Sequence, residues 1–199
     1  MFDGLLEILA KNLKKLPGIG NKTAHRLAIY LVSCEKNKAL ELADAIRNAV
    51  ENFTNCSVCN MLTEHDPCRF CHDETRQKNL LCVVEQTADI HLIENTHEYH
   101  GRYFVLGNLL SPLDGIGPEE IHFSQLLRLI DSDGIDEIIL ALNPSAEGES
   151  TIGYIASQLE NRKVSLTRLS TGLPFGGDLE YTSPVTLSNA LKRRYSVTD

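Results

Sequence analysis

Leu80-Leu81-Cys82-Val83-Val84 is the stretch on which the reading of this chain turns. It is a short, continuous apolar run, the pattern of a strand buried on both faces. Comparable runs follow at Tyr103-Phe104-Val105-Leu106, Ile138-Ile139-Leu140-Ala141-Leu142 and Val164-Ser165-Leu166. Helical patterns separate them, over 88–95, 118–131 and 147–161. Strands alternating with helices predict a parallel sheet covered by helices.

Upstream, residues 2–53 read as helical. Leu5, Leu6, Leu9, Leu13 and Leu16 form a stripe at helical spacing that ends at Pro17-Gly18. Asn21 is expected to cap a second helix carrying Ala24, Leu27, Ala28 and Leu31. A third helix is expected from Asn37 to Phe53, with Leu40, Ala43, Ile46, Ala49 and Val50 on one face. Residues 54–78 are polar and cysteine-rich. The tail from Ser170 is loop-like, with Gly172, Pro174, Gly176 and Gly177, before a short helix near 185–193. No internal repeat or low-complexity stretch occurs. The expected fold class is a multi-module α+β chain: residues 1–53 helical, 54–78 a cysteine module, 79–170 an α/β parallel sheet, and 171–199 a glycine-rich loop with a C-terminal helix.

The chain has 199 residues, of which 42% are hydrophobic and 23% charged. That is ordinary globular usage rather than that of a disordered chain. No apolar run is long enough for a transmembrane helix. Met1-Phe2-Asp3-Gly4 lacks the basic region and apolar core of a secretory signal, so a cytoplasmic location is expected. The formal net charge of -8 argues at first against a nucleic-acid partner. Residues 8–33 reverse that argument, because they hold Lys11, Lys14, Lys15, Lys22 and Arg26 and no acid. Tryptophan is absent and aromatics make up only 6%, which speaks against a long stacking platform for single-stranded DNA.

Leu16-Pro17-Gly18-Ile19-Gly20 joins the first two predicted helices. Its glycines permit positive φ and a close approach of the backbone to a ligand. Backbone N–H groups beside a helix N-terminus suit a phosphate oxygen, and Lys22 and Arg26, four apart, lie on one face near the same anion. Gly18, Ile19, Gly20, Lys22 and Arg26 are thus the candidate DNA contacts, holding phosphate without reading bases. The plain alternative is a helical hairpin with solvated lysines.

Cys56-x2-Cys59 and Cys68-x2-Cys71 are two knuckles, each able to aim two thiolates at one ion. Four thiolates close a tetrahedral Zn²⁺ shell and leave no site for water, so the metal is expected to be structural. Two disulfides are the alternative, disfavoured in a reducing compartment, and His65 or His72 can in principle replace a cysteine. Cys34 and Cys82 sit in apolar patterns and read as inert core residues.

Residues 85–149 hold thirteen acids against Arg102 and Arg128. Glu85 ends the first long strand, Asp89 lies one turn into the next helix, and Asn143, Ser145, Glu147 and Glu149 follow the strand that ends at Leu142. Sites in open parallel sheets form at the carboxyl ends of strands. Carboxylates converging there can hold Mg²⁺ for phosphoryl chemistry. No phosphate-binding loop of the Gly-x4-Gly-Lys type occurs.

Three resemblances attach to these residues. The basic turn resembles the helix-hairpin-helix of DNA repair proteins, which implies sequence-independent binding of the duplex backbone or of a duplex–single-strand junction. The acidic module resembles the Toprim domain of topoisomerases and primases, whose pattern is a Glu after one strand and Asp-x-Asp-x-x-Gly after a later one. Here Glu85 is present, but Asn143-x-Ser145 stands where the aspartates belong, so the charge that fixes catalytic Mg²⁺ is largely missing. In order along the chain, the modules resemble the RecR family of bacterial recombination mediators over nearly the whole length. The most specific stretches, besides the basic turn and the four cysteines, are Leu110–Pro118, Asn143–Glu149 and Gly172–Tyr181. Gly107-Asn108 and Ser183 depart from the family's usual His-Gly pair and acid.

The resemblance implies a non-enzymatic role in recombinational repair. It implies a ring-like homotetramer that encircles DNA and acts with RecF and RecO to load RecA on gapped DNA. Weak phosphate contacts from several copies around one hole act multivalently. By the same analogy the N-terminal helices and C-terminal tail supply subunit contacts, burying Leu5, Leu9 and Leu187 between chains. Glu85, Asp89, Glu147 and Glu149 then form an acidic face, for which RecO is the implied partner through complementary charge. The competing readings are a Mg²⁺-dependent Toprim-type nicking enzyme using Glu85, Glu147 and Glu149, and a zinc-stapled interaction module that does not touch DNA.

Overall fold

The computed structural model describes residues 4–170, 172–173 and 175–196. Expectations for Met1, Phe2, Asp3 and Pro174 fall outside these residues. The chain divides into two compact units between Phe53 and Thr54. Among the described residues no helix is long and apolar enough to cross a membrane.

The first unit is helical: α1 (Leu5–Leu13), α2 (Asn21–Ser33) and α3 (Lys36–Asn52). Its interior is small. Ala10, Ala24 and Ala28 are buried where α1 packs on α2, and their single methyl groups let the two backbones approach closely. His25 Nε2 lies 3.4 Å from Glu7 Oε2 across this pair. α2 begins one residue earlier than expected, with Gly20 rather than Asn21 at the N-cap. α3 has no buried residue, and its apolar stripe is exposed on the single chain. Leu5 is exposed, but Leu9 is half-buried, and Ile8 is the second exposed apolar residue of α1.

The second unit opens with β1 (Thr54–Asn55) paired antiparallel to β2 (Leu62–Thr63), then α4 (Arg69–His72). There follow β3 (Gln77–Val84), α5 (Thr87–Glu94), β4 (Gly101–Val105), α6 (Phe123–Asp133), β5 (Glu137–Ala141), α7 (Ala146–Leu159), β6 (Ser165–Arg168) and α8 (Pro184–Lys192). The sheet is parallel, in the order β4-β3-β5-β6. The alternation of a strand sends successive side chains to opposite faces. Leu81 and Val83 therefore join Phe104, Ile138 and Leu140 in one core, closed by α6 and α7. Cys82 and Val84 join Tyr103, Val105 and Ala141 in a second core, closed by Ile90 of α5 and by the cysteine-rich segment itself. The apolar run of β3 is thus buried on both faces, as its composition predicts.

The helix expected from 118 starts late. Pro118–Glu120 is a single 3-10 turn, and His122 takes a left-handed φ of 49°, so α6 begins at Phe123. Leu187 of α8 is half-buried rather than exposed.

One buried hydroxyl ties the loops to this frame. Thr151 of α7 is fully buried; its Oγ1 accepts from Leu110 N at 2.8 Å and donates to Glu147 O at 2.7 Å. Thr151→Val keeps the shape and orphans the Leu110 N–H. Urea unfolding of that variant should show a loss of about 1–3 kcal/mol.

Candidate metal centre and nucleic-acid interface

The four cysteines come together. Cys56 and Cys71 Sγ are 3.9 Å apart, Cys59 and Cys68 Sγ 3.5 Å, and all four lie within 4.8 Å of one another. A tetrahedral Zn²⁺ with bonds of about 2.3 Å sets its sulfurs about 3.8 Å apart, so this donor set fits such an ion. All six cysteines are free thiols, and neither His65 nor His72 belongs to the cluster. Cys56, Cys59 and Cys68 are buried. Cys68 N also donates to Cys56 Sγ at 3.3 Å, the kind of outer hydrogen bond that orients a ligand. Hydrogen bonds from Cys59 first, then Cys68 and Cys71, pull the Cys56 thiol far below its ordinary value, while Cys56 and then Cys59 push Cys71 up. The four thiols compete for negative charge at close quarters, and a dication would relieve that conflict. Cys82 behaves differently. Burial, then the nearby Asp89 charge, pushes its thiol up to about 12, as befits an inert core residue.

The basic turn is built as a donor surface. Gly18 has a φ of 75°, which a side chain would strain, whereas Gly20 is extended (φ -80°) and needs no such freedom. Ile19 N closes the turn on Leu16 O at 3.2 Å. No side chain caps the N-terminus of α2, and its first turn holds no acid. Lys22 and Arg26 are both exposed. A helix start without a side-chain cap, flanked by two cations, is suited to a phosphate oxygen.

The four candidate acids do not act alike. β3 lies centrally, and the chain crosses to β4 on one side and to β5 on the other, so the ends of β3 and β5 flank the switch point of the sheet. Glu85 and Asn143 meet there, with Asn143 Nδ2 donating to Glu85 Oε2 at 3.2 Å. A cleft of 390 Å³ at this point is lined by Glu85, Asn143, Ser145 and Glu147, together with Asp114. Asp89 instead caps α5, its Oδ2 accepting from Gln86 N at 2.8 Å. Glu149 faces Arg168 in a two-pronged ion pair, Oε2–Nη1 2.9 Å and Oε1–Nη2 2.5 Å. The hydrogen bonds from Arg168 hold the Glu149 carboxyl below the usual range. Ser145 caps α7 by accepting from Gly148 N at 3.1 Å. Gly148 has no room for a side chain, since a Cβ there would run into Asn143 O.

Sequence reasoning passed over two participants. Asp114 accepts from Ser111 Oγ at 2.6 Å and borders the acidic cleft. It lies in the Leu110–Pro118 stretch, which was informative only as a whole. Arg168 ends β6, outside the acid-rich window, and no sequence signal pairs it with Glu149.

Known proteins share these features. The pattern of the Toprim domain matches residues 79–170, and that described as the RecR helix-hairpin-helix matches residues 6–50. A protein named recombination protein RecR from Heliobacterium modesticaldum is 46% identical over 186 residues, 94% of each chain. One of the same name from Acidothermus cellulolyticus is 42% identical over 194 residues, 98% of each chain. By identity at that level over nearly the whole length, the chain belongs to the RecR family of recombination proteins.

Proposed function

We propose that this chain is a non-enzymatic DNA-binding mediator of recombinational repair, an oligomeric clamp that works with RecF and RecO to promote RecA loading on gapped DNA. The observation that carries the reading is the α2 start, which has no side-chain cap and is flanked by Gly18, Ile19 and Gly20 and by exposed Lys22 and Arg26. Its backbone N–H groups and the two cations fit phosphate oxygens, contacts that position a protein on the duplex without regard to sequence. The protein works in the cytoplasm, at the nucleoid. Residues 1–53 bind DNA, 54–78 hold one structural Zn²⁺ per chain, 79–170 form the Toprim-like domain and 171–199 serve oligomerisation.

The oligomer is supported by apolar surface left open on one chain. Leu40, Ile46 and Val50 of α3 are 50%, 58% and 76% exposed, and Tyr181 and Val185 of the tail are also exposed. Large apolar side chains left exposed on one helix are candidates for such contacts. A homotetrameric ring places several basic turns around one duplex.

The acidic cleft receives a basic surface of RecO. Glu85 and Glu147, with Asp114, carry that contact, because Asp89 is spent on a helix cap and Glu149 on Arg168. Mg²⁺ binding at the cleft is weak at best, since Asn143 directs an amide at Glu85 where the Toprim pattern has an aspartate.

Three outcomes check this reading. Lys22→Glu with Arg26→Glu should weaken duplex DNA binding at least about tenfold in a titration at matched salt. Its zinc content and helical circular dichroism should be unchanged; undiminished affinity defeats the DNA assignment. Glu147→Lys should impair RecO binding in calorimetry while sparing DNA, and Glu149→Gln should have the smaller effect. Purified protein with Mg²⁺ or Mn²⁺ should leave supercoiled plasmid intact. Nicking that disappears in Glu85→Ala would establish the enzymatic alternative instead.

A further inference from the structure

The cysteine centre is joined to the acidic cleft through one edge of the sheet. β4 is an edge strand, paired to β3 alone. Within a strand, the N–H and C=O of one residue point to the same side, and those of the next residue to the other. Leu106 N donates to Val84 O at 2.9 Å, so Leu106 faces β3 and Val105 faces the open edge. Val105 is only 4% exposed, and water is a poor partner for its peptide groups there.

The first cysteine knuckle supplies both partners. Cys59 O accepts from Val105 N at 2.9 Å. Asn60 Nδ2 donates to Val105 O at 2.8 Å, a side-chain amide standing where the N–H of another strand would be. Asn60 is 7% exposed and takes a left-handed φ of 62°, which asparagine tolerates better than most residues. Its Oδ1 accepts from Asn55 Nδ2 at 3.1 Å, and its own N–H closes the knuckle on Cys56 O at 2.9 Å. The far side of the knuckle is held by Gln125 of α6, whose Nε2 donates to Ser57 O at 2.9 Å.

Two residues beyond Val105 the strand reaches the cleft. Gly107 N donates to Glu85 O at 2.9 Å, and Gly107 and Asn108 line the cleft beside Glu85. A continuous path therefore leads from the cysteine knuckle to the backbone of Glu85, through the Cys59 carbonyl and the Asn60 side-chain amide to Val105 and along the strand to Gly107.

We propose that Asn60 is a positioning residue that couples the metal centre to the acidic cleft, so that metal occupancy sets the order of the Gly107–Asn108 wall and of Glu85. The proposal rests on the reading of the four cysteines as a metal site. With the ion in place the knuckle is rigid and completes the β4 edge. Without it the knuckle loosens, Val105 loses both partners, and the wall of the cleft loosens with it.

The test is residue-resolved amide exchange on the full chain, with zinc counted first by elemental analysis. Chelation of the zinc should speed exchange at Val105 and Gly107 at least about tenfold, while Ile155 and Leu159 in α7 keep their protection. Asn60→Gly keeps the left-handed backbone and removes the amide. It should retain its zinc and already show the faster exchange at Val105 and Gly107. Asn60→Asp, which keeps the shape without an N–H to donate, should behave as Asn60→Gly does. Zinc present, but exchange at Gly107 unmoved by its removal or by either variant, overturns the proposal and leaves the metal reading standing. Loss of protection throughout α7 on chelation also overturns it, since the effect is then global unfolding. A chain that holds no zinc overturns the metal reading and this proposal together.

Discussion

Burial of β3 on both faces is the constraint to which the other elements of the larger unit answer. Leu81 and Val83 on one face and Cys82 and Val84 on the other leave no side of the strand for water. Each face therefore needs a cover, and the covers differ in kind. α6 and α7 bring ordinary apolar side chains to the first. The second is covered by α5 and by a segment too polar to form a core of its own, made compact by four sulfurs. Phe70, between Cys68 and Cys71, packs edge-on against Tyr103 of β4, with ring centroids 5.3 Å apart. Arg76 lies over both rings and pairs with Glu94 at 2.6 Å, and Glu94 also accepts from the Tyr103 hydroxyl. The cysteine module is in this sense one wall of the sheet's second core rather than an appendage to it.

Charge is arranged by pairing as much as by composition. The acid-rich segment looks uniform along the chain. In three dimensions its carboxylates are divided among separate tasks. Asp89 holds a helix start, Glu149 is bound by Arg168, and Asp133 and Asp131 are paired with Arg102 and Arg162. The carboxylates of Glu85, Asp114 and Glu147 border one cleft, and Asn143 donates to the first of them. An amide in that position offers the glutamate a hydrogen bond without the second negative charge that would draw in a divalent ion. Asn143 in that position holds Glu85 by a hydrogen bond in the wall of the cleft.

The smaller unit makes the opposite use of its surface. Its interior is little more than three alanines, so the larger apolar groups of α3 remain outside. Such a helix gains its stability from packing more than from propensity.

The order of the elements, the strand burial, the cysteine knuckles and the basic turn were legible in the sequence because each is local. Apolar periodicity, a Cys-x2-Cys spacing and a glycine turn before two cations all act within a few residues. Some boundaries slipped where one backbone angle intervened, as at His122, whose left-handed conformation no composition rule signals. What the sequence by itself determined was which residues could bury, ligate or carry charge. Only the tertiary structure decided which of them meet. Glu149 was separated from Glu85 and Glu147 by Arg168, which is remote in sequence. Asn60 became the partner of Val105, 45 residues on. Those pairings depend on which strand lies at the sheet edge and where its peptide groups point, and that information exists only once the chain has folded.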